Sequence, residues 1–188
     1  MATPVQQDLQ SSNNEYANSF DKGELALPPA KKYLVGPFTS NPASPLFSLT
    51  APGAVTCMDA RIDPAQAFGI ALGDAHVVRN AGASSREALR SIVISQQLLS
   101  TREVLVVKHT GCGMLTFSDA DAHGIVAKNL GPKAAEELAG LKFLPFPDLD
   151  QAVRDDVAYL RGSAAVPDDV AISGWVYEVE TGKVRSVE

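Results

Sequence analysis

The sequence predicts an α/β fold, a mostly parallel central β-sheet flanked by helices, and three observations carry that expectation. Glu103-Val104-Leu105-Val106-Val107-Lys108 is an unbroken apolar, β-branched run bounded by turn residues, as strands buried on both faces are. Ala54-Val55-Thr56 is a second run of that kind, and each run stops at residues capable of chemistry. Between them the pattern reads helix, strand, helix. Both strand ends can therefore lie side by side at the carboxyl edge of one sheet, where open α/β sheets place their ligands. With 188 residues, 45% of them hydrophobic and 20% charged, the chain suits a single domain over 1–188 with one substantial core.

Each element has a local reason. Residues 1–12 are polar and read as a loose N-terminus. Residues 13–30 read as an N-terminal helical arm, with Tyr16, Ala17 and Phe20 on one face after an asparagine able to cap it. Lys31 to Val35 begins a strand. The nineteen residues 36–54 then hold four prolines and one apolar cluster, Leu46, Phe47 and Leu49, and read as an insert. Two accounts of it compete. It is either a surface loop that leaves and re-enters the sheet, or a translated intron, since deleting it joins Tyr33-Leu34-Val35 to Val55-Thr56-Cys57.

Asp63-Pro64 sets a helix cap before proline at the first helical position and opens a helix within Ile62 to Leu72. Ala75 to Arg79 is a strand, with His76 at its start as an ordinary strand residue. Asn80 to Ser84 is a turn whose Gly82 permits close backbone approach. Ser85 to Ser100 is a helix, with Leu89, Ile92, Val93 and residues 96–99 at helical spacing and Glu87 in its first turn. His123 follows Asp119 and Asp121 in a polar stretch and reads as a solvated surface histidine. Lys133 to Leu141 and Leu149 to Leu160 are helices, the second carrying Asp155 and Asp156 on a solvated face. Val170 to Val187 is a strand and hairpin turning at Glu180-Thr181-Gly182-Lys183.

The chemistry sits in the two stretches that follow the strands, Cys57-Met58-Asp59-Ala60-Arg61 and His109-Thr110-Gly111-Cys112. Two thiolates and an imidazole, Cys57, Cys112 and His109, are a ligand set that zinc prefers, and three protein ligands leave a fourth position for water. These are the only two cysteines, so a closed structural knuckle has to recruit His76 or His123. A phosphatase loop needs an arginine soon after its cysteine, and residues 113–118 contain none. A dinucleotide loop needs a third glycine where Thr116 stands. A disulfide between Cys57 and Cys112 stays open, and the lack of any secretory mark stands against it.

Cys57-x-Asp59-x-Arg61, His109-x-x-Cys112, Val77-Val78-Arg79-Asn80-Ala81-Gly82 and Ile172-Ser173-Gly174-Trp175-Val176-Tyr177 together resemble the β-class carbonic anhydrases, most closely the short members. The resemblance covers most of 14–35 and 54–188, and the insert is its clearest departure. It implies a zinc lyase with one Zn2+ per chain on Cys57, His109 and Cys112, catalysing the reversible hydration of carbon dioxide to bicarbonate. In that scheme zinc lowers the pKa of its water from about 15.7 toward neutrality. Asp59 accepts a hydrogen bond from the resulting hydroxide, and Arg61 holds that carboxylate. The resemblance also implies a closed state in which Asp59, released by Arg61, becomes the fourth zinc ligand. Gly82, Ala83, Gly111, Gly113 and Met114 are the expected substrate-pocket residues; Met114, like Leu115 and Phe117, suits core equally well.

Two other functions fit the same residues: hydrolysis of carbonyl sulfide or a related sulfur analogue, and an inactive zinc-stabilised oligomer if the insert displaces Cys57. In the family such an N-terminal arm packs across a partner subunit, which implies a homodimer or higher homo-oligomer. The net charge of −6 argues against nucleic acid or an anionic membrane as partner. No apolar stretch is long enough to span a bilayer. The first twenty residues contain no Lys or Arg, unlike a secretory or transit signal, so a cytoplasmic location follows by default.

Overall fold

The computed structural model describes residues 3–30 and 51–187. Its strands β1 (Ala51–Cys57), β2 (His76–Asn80), β3 (Thr101–His109), β4 (Ala171–Tyr177) and β5 (Val184–Val187) form one sheet in the order β2-β1-β3-β4-β5. The first four are mutually parallel and β5 returns antiparallel against β4. The described helices are α1 (Pro4–Ser19), α2 (Pro64–Phe68), α3 (Ser85–Leu99), α4 (Asp119–Leu130), α5 (Pro132–Glu137) and α6 (Leu149–Arg161). This is the parallel α/β sheet that the strand pattern predicts.

β3 is the central strand, buried along its whole length apart from a half-buried Arg102. Successive side chains point to opposite faces. Val104 and Val106 join Ala88 and Ile92 of α3 and Val153, Val157 and Leu160 of α6 in one apolar cluster. Leu105 and Val107 join Ile62, Phe68 and Met114 around Cys57 and Cys112 in the other. Gly174 lets α6 approach β4, because a Cβ there would collide with Val153 and stand 3.1 Å from Val157 Cγ2.

Local chemistry explains where boundaries differ from expectation. α1 starts at Pro4, inside the stretch read as loose, because Thr3 caps it reciprocally: the Gln6 N–H donates to Thr3 Oγ1 and the Thr3 N–H donates to Gln6 Oε1. The helix ends at Ser19, so residues 20–30 of the expected arm are not helical. α2 stops at Phe68 because Gly69 turns left-handed, φ +64°. α4 occupies the stretch around His123 where polarity alone suggested none; Ser118 and Asp121 form its capping box.

The strand expected from Lys31, and residues 36–50 of the insert, lie outside the described residues. Residues 51–54 do not belong to a structureless insert: they are the first part of β1, with a register shift between Ala51 and Pro52 where the ladder meets the proline. Cys57 keeps its register opposite Asn80, so it is not displaced.

Candidate metal centre

The register of β1 against β3, Thr56 opposite Val107, brings Cys57 beside the end of β3, where His109 is the last residue. Gly111, at φ +61°, turns the chain left-handed so that Cys112 comes back toward both. One ligand atom from each of Cys57, His109 and Cys112 lies within 4.8 Å of the others, and all three residues are buried. His109 is fully enclosed. Its Nδ1 is 2.9 Å from the Thr110 carbonyl, which can only accept; Nδ1 therefore carries the proton and Nε2 presents its lone pair. Among the described residues Nε2 has no hydrogen-bond partner.

The neighbouring Cys112 side chain lowers the Cys57 thiol toward thiolate, and burial opposes that shift. Cys112 is correspondingly pushed up, first by the Cys57 sulfur and then by burial. A buried imidazole lone pair without a donor and two buried sulfurs, one of them inclined toward thiolate, make a donor set that fits a borderline-soft dication such as zinc.

Asp59 stands beside this cluster, its Oδ2 3.8 Å from His109 Nε2. Arg61 grips it with Nε to Oδ1 at 2.9 Å, Nη2 to Oδ2 at 2.7 Å and its own backbone N–H to Oδ1 at 2.9 Å. These bonds hold the carboxyl well below the usual carboxylate range, the Arg61 side chain contributing most. Arg61 Nη2 also donates to Gly111 O at 3.0 Å, tying the two ligand-bearing stretches together. The Asp59 carboxylate faces Arg61.

The expected pocket residues divide. Gly82, Ala83 and Met114 are buried, and Met114 belongs to the apolar cluster around Cys57 and Cys112. Gly111 and Gly113 are exposed at the turn. His76 is an ordinary strand residue, its Nδ1 2.7 Å from Ser95 Oγ. His123 departs from expectation: it is half-buried, its Nε2–H donates to Leu141 O at 3.0 Å and it meets Phe143 edge-on. Asp155 is exposed as expected. Asp156 is not, because its Oδ2 lies 2.8 Å from the Nζ of a buried Lys108.

Three contributors escaped the sequence reading. Arg79 holds the Cys57 carbonyl at 3.1 Å and the Asp59 carbonyl at 2.7 Å, fixing the backbone on which both side chains sit. The Thr110 hydroxyl donates to Glu180 Oε2 at 2.6 Å and accepts from the Val179 N–H at 3.0 Å, locking the His109–Cys112 turn to the β4–β5 connection. Lys108 and Asp156 form the third. Arg79 and Thr110 stand within runs that the sequence singles out, but their partners lie far from them in sequence.

Cys57, His109 and Cys112 at the carboxyl edge of a parallel sheet, with a clamped carboxylate beside them, are the three-ligand donor set of a catalytic rather than a closed structural zinc site. The family model described as carbonic anhydrase matches residues 53–184. β-Carbonic anhydrase 1 of Mycobacterium tuberculosis is 34% identical over 186 residues, covering 97% of this chain and 98% of that one. A solved carbonic anhydrase from Glaciozyma antarctica superposes with a TM-score of 0.84 at 41% identity, over 100% of both chains. A carbon disulfide hydrolase of an Acidianus strain is 35% identical over 151 residues, covering 70% of this chain and 74% of that one. The chain belongs to the carbonic anhydrase family, in its β class.

Proposed function

We propose that the protein catalyses the reversible hydration of carbon dioxide to bicarbonate and a proton, with zinc held by Cys57 Sγ, Cys112 Sγ and His109 Nε2. The observation that carries this is the buried, unpartnered Nε2 within 4.8 Å of two sulfurs, beside a carboxylate that Arg61 keeps ionised. Bound zinc supplies Lewis acidity, which makes water a usable nucleophile near neutral pH. Asp59, whose acidity keeps it unprotonated, serves as a fixed acceptor: it takes a hydrogen bond from the attacking water and aims the oxygen lone pair at the substrate carbon. Arg61 supplies orientation, since its two-pronged grip leaves the carboxylate one position. Buried Met114 and Ile62 keep the neighbourhood of the sulfurs apolar, as a small neutral substrate requires. Free Cys57 and Cys112 suit a cytoplasmic setting, where thiols stay reduced.

α1 buries none of its residues and exposes Val5, Leu9 and Tyr16, followed by Phe20. We take a second copy of the chain to cover this stripe, giving a homodimer. No helix among the described residues is long and apolar enough to cross a membrane.

Stopped-flow carbon dioxide hydration on protein of known zinc content tests the proposal. Fast turnover at one zinc per chain supports it. Full zinc without turnover, together with hydrogen sulfide release from carbonyl sulfide or carbon disulfide, transfers the same centre to the sulfur analogues.

A further inference from the structure

His109 ends β3 with its ring tied to the next peptide: Nδ1–H donates to Thr110 O at 2.9 Å, and that bond sets where Nε2 points. The carbonyl belongs to the peptide plane between Thr110 and Gly111. Gly111 lies at φ +61°, and a peptide plane beside a glycine rotates cheaply, because no Cβ blocks the alternative. The plane is only as fixed as the contacts around it.

Those contacts come from two sides. Arg61 Nη2 holds Gly111 O at 3.0 Å. The end of β4 and the connection after it hold Thr110 by three bonds. The Thr110 N–H donates to Tyr177 O at 3.0 Å, its hydroxyl accepts from the Val179 N–H at 3.0 Å, and the same hydroxyl donates to Glu180 Oε2 at 2.6 Å. The last is the shortest of the three and ends on a carboxylate, a kind of hydrogen bond about twice as strong as a neutral one. A hydroxyl that gives its proton to Glu180 keeps its lone pairs for Val179, so the two bonds support each other. Glu180 stands on a braced base. The connection from β4 to β5 closes with the Glu178 N–H on Lys183 O and the Gly182 N–H on Glu178 O, both at 2.8 Å, and with the Thr181 hydroxyl on Glu178 Oε2 at 2.7 Å. Glu180 and Arg61 flank one glycine: a Cβ on Gly111 would stand 3.9 Å from Glu180 Oε1 and 3.8 Å from Arg61 Nη1.

We propose that Glu180 is a positioning residue for the metal centre, acting through Thr110: its carboxylate fixes the Thr110 side chain, and with it the carbonyl that aims the His109 imidazole at Cys57 and Cys112. The inference rests on the reading of His109 Nε2 as a zinc ligand. Partners that orient a ligating imidazole govern how well the metal is retained. Glu180 is exposed, so its removal opens no hole in the core.

The test uses the zinc holoprotein and its cobalt(II)-exchanged form. Glu180→Ala removes the acceptor, Glu180→Gln removes the charge but keeps a carbonyl for the hydroxyl, and Thr110→Val removes the hydroxyl at similar volume. Glu180→Ala is expected to release zinc to a chelator about tenfold faster than the wild type. The cobalt-shifted Nδ1–H proton signal of His109 is expected to exchange with water faster as well. Thr110→Val should match or exceed both effects, and Glu180→Gln should restore most of each. Wild-type release and exchange in Glu180→Ala overturn the role of Glu180, whatever Thr110→Val shows, and leave the metal centre standing. An impaired Glu180→Ala beside a wild-type Thr110→Val also overturns it, since the effect then bypasses Thr110. So does a Glu180→Gln as impaired as Glu180→Ala, which makes charge and not the bond the cause. A wild-type cobalt protein with no shifted, exchangeable imidazole proton overturns His109 Nε2 as ligand, and the clamp with it.

Discussion

Gly82→Ala is the most informative single substitution, because its cost follows from two separate features. At φ +71° an alanine carries a left-handed penalty of about 1 kcal/mol or slightly more. The new Cβ would stand 2.8 Å from Met114 Cγ and 3.1 Å from Phe146 Cε1, so both side chains must move. Met114 is flexible and gives way more easily than the ring, which places the overpacking cost at about 1–3 kcal/mol. Ala83 is already left-handed and cannot absorb the strain. The sum, about 2–4 kcal/mol, corresponds to a fall of ~5–15 °C in melting temperature for a domain of this size. Calorimetry of the zinc-loaded protein measures the fall, and chelator competition measures the zinc lost as the new Cβ displaces Met114, which packs in one cluster with Cys57 and Cys112. Gly113→Ala is the control: nothing lies within 4 Å of its Cβ and its φ is not left-handed, so neither readout is expected to move. A folded Gly82→Ala protein with wild-type melting and wild-type zinc retention would refute the reasoning.

Further outcomes are expected elsewhere. Asp59→Asn keeps zinc but lowers turnover roughly 10²-fold, since the amide offers Arg61 no two-pronged partner and the nucleophile loses its fixed acceptor; zinc loss measured by metal analysis would contradict that role. Glu103 is buried and its carboxyl is pushed up to about 7 by burial, so the folded chain keeps a proton that the unfolded chain releases. Stability therefore falls as pH rises through that window and levels off above it, by about 2 kcal/mol between pH 5.5 and 7. Glu103→Gln should abolish that slope in denaturant titrations, and an equal slope in both proteins would sink the argument. Chelating the zinc should cost about 4 kcal/mol of stability relative to protein held at a thousandfold excess over Kd; identical melting curves would show that the folded chain does not hold the metal.

β3 and α3 were legible in the sequence because burial on both faces, or on one helical stripe, writes itself into residue order. The Cys57–His109–Cys112 cluster was legible because few residue types bind zinc and this chain has only two cysteines. α4 was not, since its first turn is Asp-rich and its stability comes from the Ser118–Asp121 cap and from contacts such as His123 with Leu141. Asp156 was misread for a related reason. A carboxylate on an amphipathic helix looks solvated unless its cation is known, and Lys108 reaches it from a strand 48 residues earlier, on the face where α6 packs. Pro52 argued against a strand at 51–54, yet the shift in register at that point absorbs it.

The length of β1 separates history from chemistry. From Ala51 to Cys57 the strand climbs about 20 Å at 3.3 Å per residue, so the chain enters at one edge of the sheet and delivers its sulfur at the other. Residues gained or lost ahead of Ala51 leave the spacing of Cys57, His109 and Cys112 untouched, since that spacing is set by hydrogen-bonded neighbours further along. The amino edge is therefore where this enzyme can lengthen, acquire a tag or accept a new segment without disturbing the ligand edge.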